Sequence, residues 1–300
     1  MKMLEKTLQN TWKRKHTDHS LKCLARVLRV KTRFLISSLI YITMLGGFFT
    51  LSQAGTIDPE VSDSKYLSYG KRHKCVALIG GDMPTEGSTA RFKASAVVVR
   101  PNIVITAAHV IDGGKNMHIT LDKQKSNVIS VIHLKKWKRE NVGPYDIAIC
   151  LLDKDIKLDF YPELYSKSDE IGKLCSISGY GITGTHRSGA IKKDYKKRAG
   201  SNIIDNKLFN GMLVCSLSSG PTTTLEFLIS HGDSGGGLFI DGKLAGINSS
   251  ITCKKGAKLN SSYSNQSCHT RISTHKDWLE KAIKALEDAA PKKEKKMGFL

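Results

Sequence analysis

Three residues of this chain stand in settings where their side chains could do chemistry together. Ser234 lies in "SHGDSGGGLF", residues 230–239, among four glycines and beside Asp233. Glycine weakens strands and helices, so clustered glycines mark backbone that bends or approaches something closely. A serine on such a turn is either a displayed nucleophile or one member of a polar turn. His109 ends "VITAAH", and the small residues Thr106, Ala107 and Ala108 leave room for an imidazole edge to face a cleft. A lone histidine at the end of an apolar run is otherwise more often structural. Asp146 opens "DIAICLL", as a cap or turn residue or as a buried carboxylate. A buried carboxylate requires a hydrogen-bonding partner, and a histidine N–H would serve. Acyl transfer by serine needs a hydroxyl, a base for its proton, donors for the oxyanion and an acid to orient the base.

The elements that must position these residues are mostly strands. From about Lys74 the chain runs through short β-type segments: "KCVALIG", "ASAVVVR", "NIVITAAH", "MHITL", "VISVIHL", "DIAICLL", "GMLVCSL", "TLEFLIS" and "KLAGINSS". Turn signals such as "DGG", "DGK" and "SSGP" separate them, which argues for an all-β sandwich or barrel. Residues 55–68 read as an irregular lead-in or propeptide, and residues 191–207 as a long basic surface loop. At the end, Trp278, Leu279, Ala282, Ile283 and Leu286 recur at helical spacing. Thr274 with Asp277 resembles a capping box, so an amphipathic helix is predicted over 274–289, with a basic tail at 290–300.

Composition sets the compartment. The net charge is +20, and residues 55–300 keep +12 of it. No nucleic-acid-binding motif accompanies that charge, so it reads as a solvated basic surface and no nucleic acid is expected as a partner. Residues 34–51 form an uncharged apolar run after a basic leader, followed by Ser52-Gln53-Ala54. The pattern is that of a secretory signal cleaved after Ala54, or of an uncleaved anchor, the one case in which membrane contact is expected. Both readings place the remainder outside the cytoplasm, secreted, periplasmic or membrane-anchored. Six cysteines follow the leader, which in an oxidising compartment points to disulfides. Cys253 and Cys268 bracket a polar loop and form the favoured pair, whereas Cys150 in "IAICLL" reads as a buried free thiol. None shows metal-ligand spacing, and no cofactor is expected.

The order "TAAH", "DIAICLL", "GDSGG" resembles the trypsin/chymotrypsin family of serine proteases. "SGYG" at 178–181, "AGINSS" at 245–250 and the terminal helix fit the same pattern over about residues 70–288. The resemblance implies two packed six-stranded antiparallel Greek-key β-barrels, about 70–160 and 170–272, with a C-terminal α-helix. It implies a serine endopeptidase acting on proteins or peptides, with Ser234 as nucleophile, His109 as base and Asp146 as orienting acid. Gly232 and Ser234 would supply the oxyanion-hole N–H groups, and Ser249 would bond to the acid. Backbone from Ser249 through Ser250 to Ile251 would pair with substrate. Leu228 falls at the floor of the specificity pocket and Ser267 and Ile251 near its walls, which implies small or medium apolar residues before the cut and not Arg or Lys. Glu226 reaches the pocket only if the alignment slips by two.

The chain also departs from the family. Val110 and Ser230 stand where many relatives carry cysteine, Ile240 replaces the usual mate of Cys175, and Cys215 has no obvious mate, so the bridges are expected to be rewired. In many relatives a freshly cut N-terminus pairs with the residue that is Asp233 here. "LIGG" at 78–81 lies too close to His109 for that role and reads as an early strand and turn, leaving Asp233 an internal partner, with His231 adjacent. A catalytically weak binding protein on the same fold and an esterase using the same residues are the alternatives.

Overall fold

The computed structural model describes residues 55–289, apart from 141, 206–207, 218–222 and 254. The leader, the apolar run at 34–51 and the tail at 290–300 lie outside the described residues.

The first half is a closed barrel. Its strands are β2 (Val76–Thr85), β3 (Ser88–Arg100), β4 (Ile103–Thr106), β5 (Lys115–Leu121), β6 (Gln124–His133) and β7 (Ala148–Leu152), in the spatial order β2-β3-β4-β7-β6-β5. β2 and β3 form a long hairpin paired from Val76↔Val97 to Thr85↔Ser88. "LIGG" therefore continues a strand, with Gly80 opposite Lys93 and Gly81 opposite Phe92, and contains no turn. The β-branched runs predicted as strands point inward, and Val97, Ile103, Ile105, Ile119, Ile147 and Ile149 are wholly buried. Burying one such side chain is worth about 1.5–3 kcal/mol, so this cluster is the main stabiliser of the half.

The second half carries a six-stranded sheet and a smaller one. The six-stranded sheet contains β8 (Leu174–Gly179), β11 (Arg198–Ile203), β12 (Leu213–Ser216), β14 (Gly237–Ile240), β15 (Lys243–Cys253) and β16 (Asn265–Arg271). Its order is β11-β8-β14-β15-β16-β12, a half-barrel and not a second closed one. The smaller sheet holds β1 (Thr56–Ile57), β9 (Thr183–Thr185), β10 (Gly189–Lys192) and β13 (Phe227–Leu228), in the order β10-β9-β1-β13.

Three segments differ from the sequence expectation. The lead-in is built into the fold: β1 pairs with both β13 and β9, and α1 (Asp63–Arg72) follows, capped by the Ser62 side chain. Its polar texture hid a helix because α1 buries only Tyr66 and Gly70. The basic segment at 191–207 is not one loop, since it contains the end of β10 and all of β11. Arg198 opens β11 and is buried because Asp63 and Asp194 bind its guanidinium, at 2.6 and 2.8 Å. The final helix, α3 (Ile272–Ala289), starts two residues early, so Thr274 sits inside its first turn and not at a cap. As predicted, Leu279, Ala282, Ile283 and Leu286 are its buried face, and they join the core cluster of the first barrel.

The cysteine pair favoured from sequence does not form. On β15 and β16, Cys253 stands opposite Asn265 and Cys268 opposite Ser250. Three residues along a strand is about 10 Å, beyond the reach of a disulfide. No disulfide joins any two of the six described cysteines in this structure, and Cys150 is wholly buried.

Candidate active site

The site lies where the barrel and the half-barrel meet. β4 ends at Thr106, and His109 follows on the short helix α2 (Ala108–Ile111). Its imidazole is 27% exposed, so one edge faces solvent while the other is held. Asp146, just before β7, is wholly buried. β4 and β7 are paired neighbours with Thr106 opposite Ala148, which places the histidine beside the aspartate.

The Asp146 carboxylate is fully engaged. Oδ2 accepts from His109 Nδ1 at 2.7 Å and from the Ser249 hydroxyl at 2.5 Å, while Oδ1 accepts from the His109 backbone N–H at 2.9 Å. Its backbone carbonyl accepts from the Thr270 hydroxyl at 2.9 Å. Burial opposes ionisation of Asp146, but His109 and the Ser249 hydroxyl outweigh it, and the carboxyl lies below its ordinary value. Burial likewise opposes charging of His109, yet the carboxylate and its hydrogen bond raise the imidazole above its ordinary value. Each partner therefore favours the other's ionised form.

The loop carrying Ser234 packs against the same corner. Gly235, next to Ser234, is so close to β4 that a Cβ there would lie 2.0 Å from Thr106 Oγ1 and 3.1 Å from the Ala107 nitrogen. Its N–H donates to the carbonyl of Asn248, the residue before Ser249, at 2.8 Å. Ser234 is partly exposed. Among the described residues its hydroxyl has no hydrogen-bond partner, the imidazole included. Catalytic hydrogen bonds commonly close only once substrate is bound. Among the described residues the N–H groups of Gly232 and Ser234 also have no protein acceptor. Gly232 adopts φ +94°, a backbone state that a side chain would strain.

Two further residues frame the loop, and neither was among the residues expected at the site. Ser95 on β3 is wholly buried. Its hydroxyl donates to the Gly232 carbonyl at 2.7 Å and accepts from the Tyr180 N–H at 2.9 Å. Its backbone N–H donates to the Ser234 carbonyl at 2.9 Å. Gly55 is the second. Its N–H donates to Asp233 Oδ2 at 2.8 Å, and a Cβ there would lie 2.5 Å from the Phe227 ring. Asp233 also accepts from Gly181 N–H at 2.9 Å and Ser230 N–H at 3.1 Å. Its internal partners are thus backbone amides and not His231, which is exposed. Burial pushes the Asp233 carboxyl up to about 7 even though those amides pull it down.

The residues expected around a specificity pocket divide by exposure. Leu228 is wholly buried on β13, opposite Thr56. Ser267 is wholly buried on β16, its hydroxyl donating to the Cys215 carbonyl at 3.3 Å. Ser250 and Ile251 on β15 are partly exposed. Glu226 is buried, and its carbonyl accepts from the Tyr66 hydroxyl at 3.1 Å. Among the described residues no cluster of His, Cys, Asp and Glu could hold a metal. No described helix is long and apolar enough to cross a membrane.

The chain is similar to known proteins at both the sequence and the structural level. A chymotrypsin of Phaedon cochleariae is 29% identical over 211 residues, covering 61% of this chain and 69% of that protein. Chymotrypsin-like elastase family member 1 of Macaca fascicularis is 26% identical over 224 residues, covering 66% and 81%. Mouse neuropsin, a serine protease, superposes with a TM-score of 0.54 at 20% identity over 70% of this chain and 95% of its own, a likeness of fold. The Trypsin family profile matches residues 79–279, two thirds of the length, and on that match the chain belongs to the trypsin family of serine-type endopeptidases.

Proposed function

We propose that this protein is an exported serine endopeptidase that cleaves peptide bonds through an acyl-enzyme on Ser234. The observation that carries the reading is the engaged Asp146 carboxylate, which holds the His109 imidazole by Nδ1 and, among the described residues, leaves Nε2 without a partner. His109 takes the Ser234 proton as the hydroxyl attacks the scissile carbonyl, and returns it to the leaving amine. Asp146 fixes the tautomer and stabilises the imidazolium. The N–H groups of Gly232 and Ser234 receive the oxyanion, and the Ser95 hydroxyl holds the Gly232 peptide in place. Ser250 and Ile251, partly exposed and following the buried Ser249 on β15, offer a strand edge to an extended substrate. Leu228, which the resemblance puts at the floor of the specificity pocket, carries no charge to pair with Arg or Lys, and this favours small or medium apolar residues before the cut.

The Gly55 contact supports a defined activation step. Residues 52–54 have the small-residue pattern of a leader cut, and Gly55 follows them directly. In the uncut chain Asp233 accepts a hydrogen bond from a neutral amide. Hydrolysis of the Ala54–Gly55 bond puts an α-ammonium at that position and gives the buried carboxylate an opposite charge.

A fluorophosphonate probe tests the assignment. The chain beginning at Gly55 is expected to be labelled at Ser234, and Ser234→Ala to lose both label and peptide hydrolysis. Turnover of esters without peptide amides would assign an esterase, and absence of label on the cut chain would assign a binding protein.

A further inference from the structure

One feature of the second half plays no part in the catalytic site. Cys175 on β8 and Cys215 on β12 are buried in the same apolar cluster, with Ile177, Ile204, Leu213 and Leu238. Their sulfur atoms are 3.8 Å apart. The two strands are not neighbours in the sheet, because β12 is one edge and β8 lies next to the other edge, β11. The thiols therefore meet across the interior, behind the seam between β11 and β12. Among the described residues, few bonds close that seam. Asp205 N–H donates to the Val214 carbonyl at 2.8 Å, and the Asp205 carboxylate accepts from the Ser216 N–H and hydroxyl at 3.1 and 2.6 Å.

The other cysteines are excluded as partners by position. Cys75 and Cys150 belong to the first-barrel core. Cys268 is paired with Val214, on the opposite face of β12 from Cys215, and clusters with Met212 and Val214. Cys253 is partly exposed, its thiol turned to the Ala257 carbonyl at 3.4 Å.

We propose that Cys175 and Cys215 are a disulfide site, closing the half-barrel across its seam. A bond requires the sulfurs to approach by less than about 2 Å, within the reach of side-chain rotation from their present places. The two thiols lose two protons and two electrons to a small-molecule or protein disulfide, which is reduced to two thiols as the new S–S bond forms. Its hydrogen bond to Cys175 and its burial hold the Cys215 thiol well above its ordinary pKa, so thiolate is scarce once the sheet has closed. Oxidation therefore accompanies folding, and the folded reduced protein reacts slowly.

The proposal does not rest on catalysis, and its test reads a covalent bond. The full-length chain is folded with reduced and oxidised glutathione, blocked with N-ethylmaleimide, denatured, digested without reductant and mapped by mass spectrometry. The expected result is one cross-linked peptide pair joining Cys175 to Cys215, with the other cysteines alkylated. Alkylation of both, or pairing of either with another cysteine, overturns the proposal. Linking residues 40 apart in sequence is expected to raise the melting temperature by about 10 °C over the dithiothreitol-reduced protein. Cys175→Ala is expected to abolish that difference. The peptide map on the unmodified chain decides the matter even if the variant folds poorly. Fluorophosphonate labelling of the same samples reports separately on Ser234.

Discussion

At the scale of single residues, the geometry makes the charge on His109 depend on Asp146. Burial alone would lower the imidazole, and the carboxylate reverses that. In the proposed role of base His109 works only when neutral, so kcat/KM should fall as pH drops through a value above the 6.5 of an ordinary histidine. In Asp146→Asn the raising partner is gone and burial remains. The acid limb should then move below 6.5, with kcat lower by about 10⁴-fold as in comparable triads. A pH–rate profile of both proteins checks the direction, and an unmoved limb would separate Asp146 from the base. The three candidate residues stood out in sequence because each has a distinctive setting: glycines around Ser234, small residues before His109, an apolar run after Asp146. Ser95 was not legible. Its two side-chain bonds reach Gly232 and Tyr180, more than eighty residues away, and nothing local distinguishes it from any strand serine.

At the scale of elements, α1 is the part of the fold the sequence concealed, and Arg198 is what holds it. The guanidinium binds Asp63 at the helix start and Asp194 before β11. Its side chain is 5% exposed, whereas Asp63 is 43% exposed and well hydrated. Arg198→Met keeps the apolar stem and removes the charge, leaving Asp194 uncompensated. A loss of about 2–3 kcal/mol is expected, at or below the low end for broken buried pairs because Asp63 regains water. Urea unfolding measures it, and a change below about 0.5 kcal/mol would show the pair to be no more than a surface contact. The same lesson applies to β11, where basic residues masked a strand: Ala199 and Gly200 are buried while the lysines before them largely are not. The register of β15 and β16 was equally hidden, since facing residues are set by bulges that composition does not reveal.

At the scale of the whole molecule, the proposed cut before Gly55 would make the contribution of Asp233 to stability depend on whether the leader is attached. In the uncut chain its carboxyl is raised from 3.8 to about 7, so the fold prefers the protonated form. That contribution is complete below pH 3.8 and is lost as pH rises towards 7. With an α-ammonium at Gly55 the carboxylate is paired and the loss disappears. Between pH 5 and 7 the uncut chain should therefore lose melting temperature relative to the chain beginning at Gly55. Parallel changes in both would sink the pairing. The strands and the terminal helix were legible from periodicity, because burial of alternating or helically spaced side chains is a local pattern, whereas the closed barrel was implied by the resemblance and not by the spacing, which also fitted a sandwich. The openness of the second sheet was not legible, since closure depends on which distant edges meet. The Ser95 stitch carries a last implication. One hydroxyl on a barrel strand ties down the loop that bears Ser234, so the proposed machinery belongs to the joint and to neither half. Warming or mild denaturant that parts the halves by a fraction of an ångström should silence the enzyme while its circular dichroism still looks native.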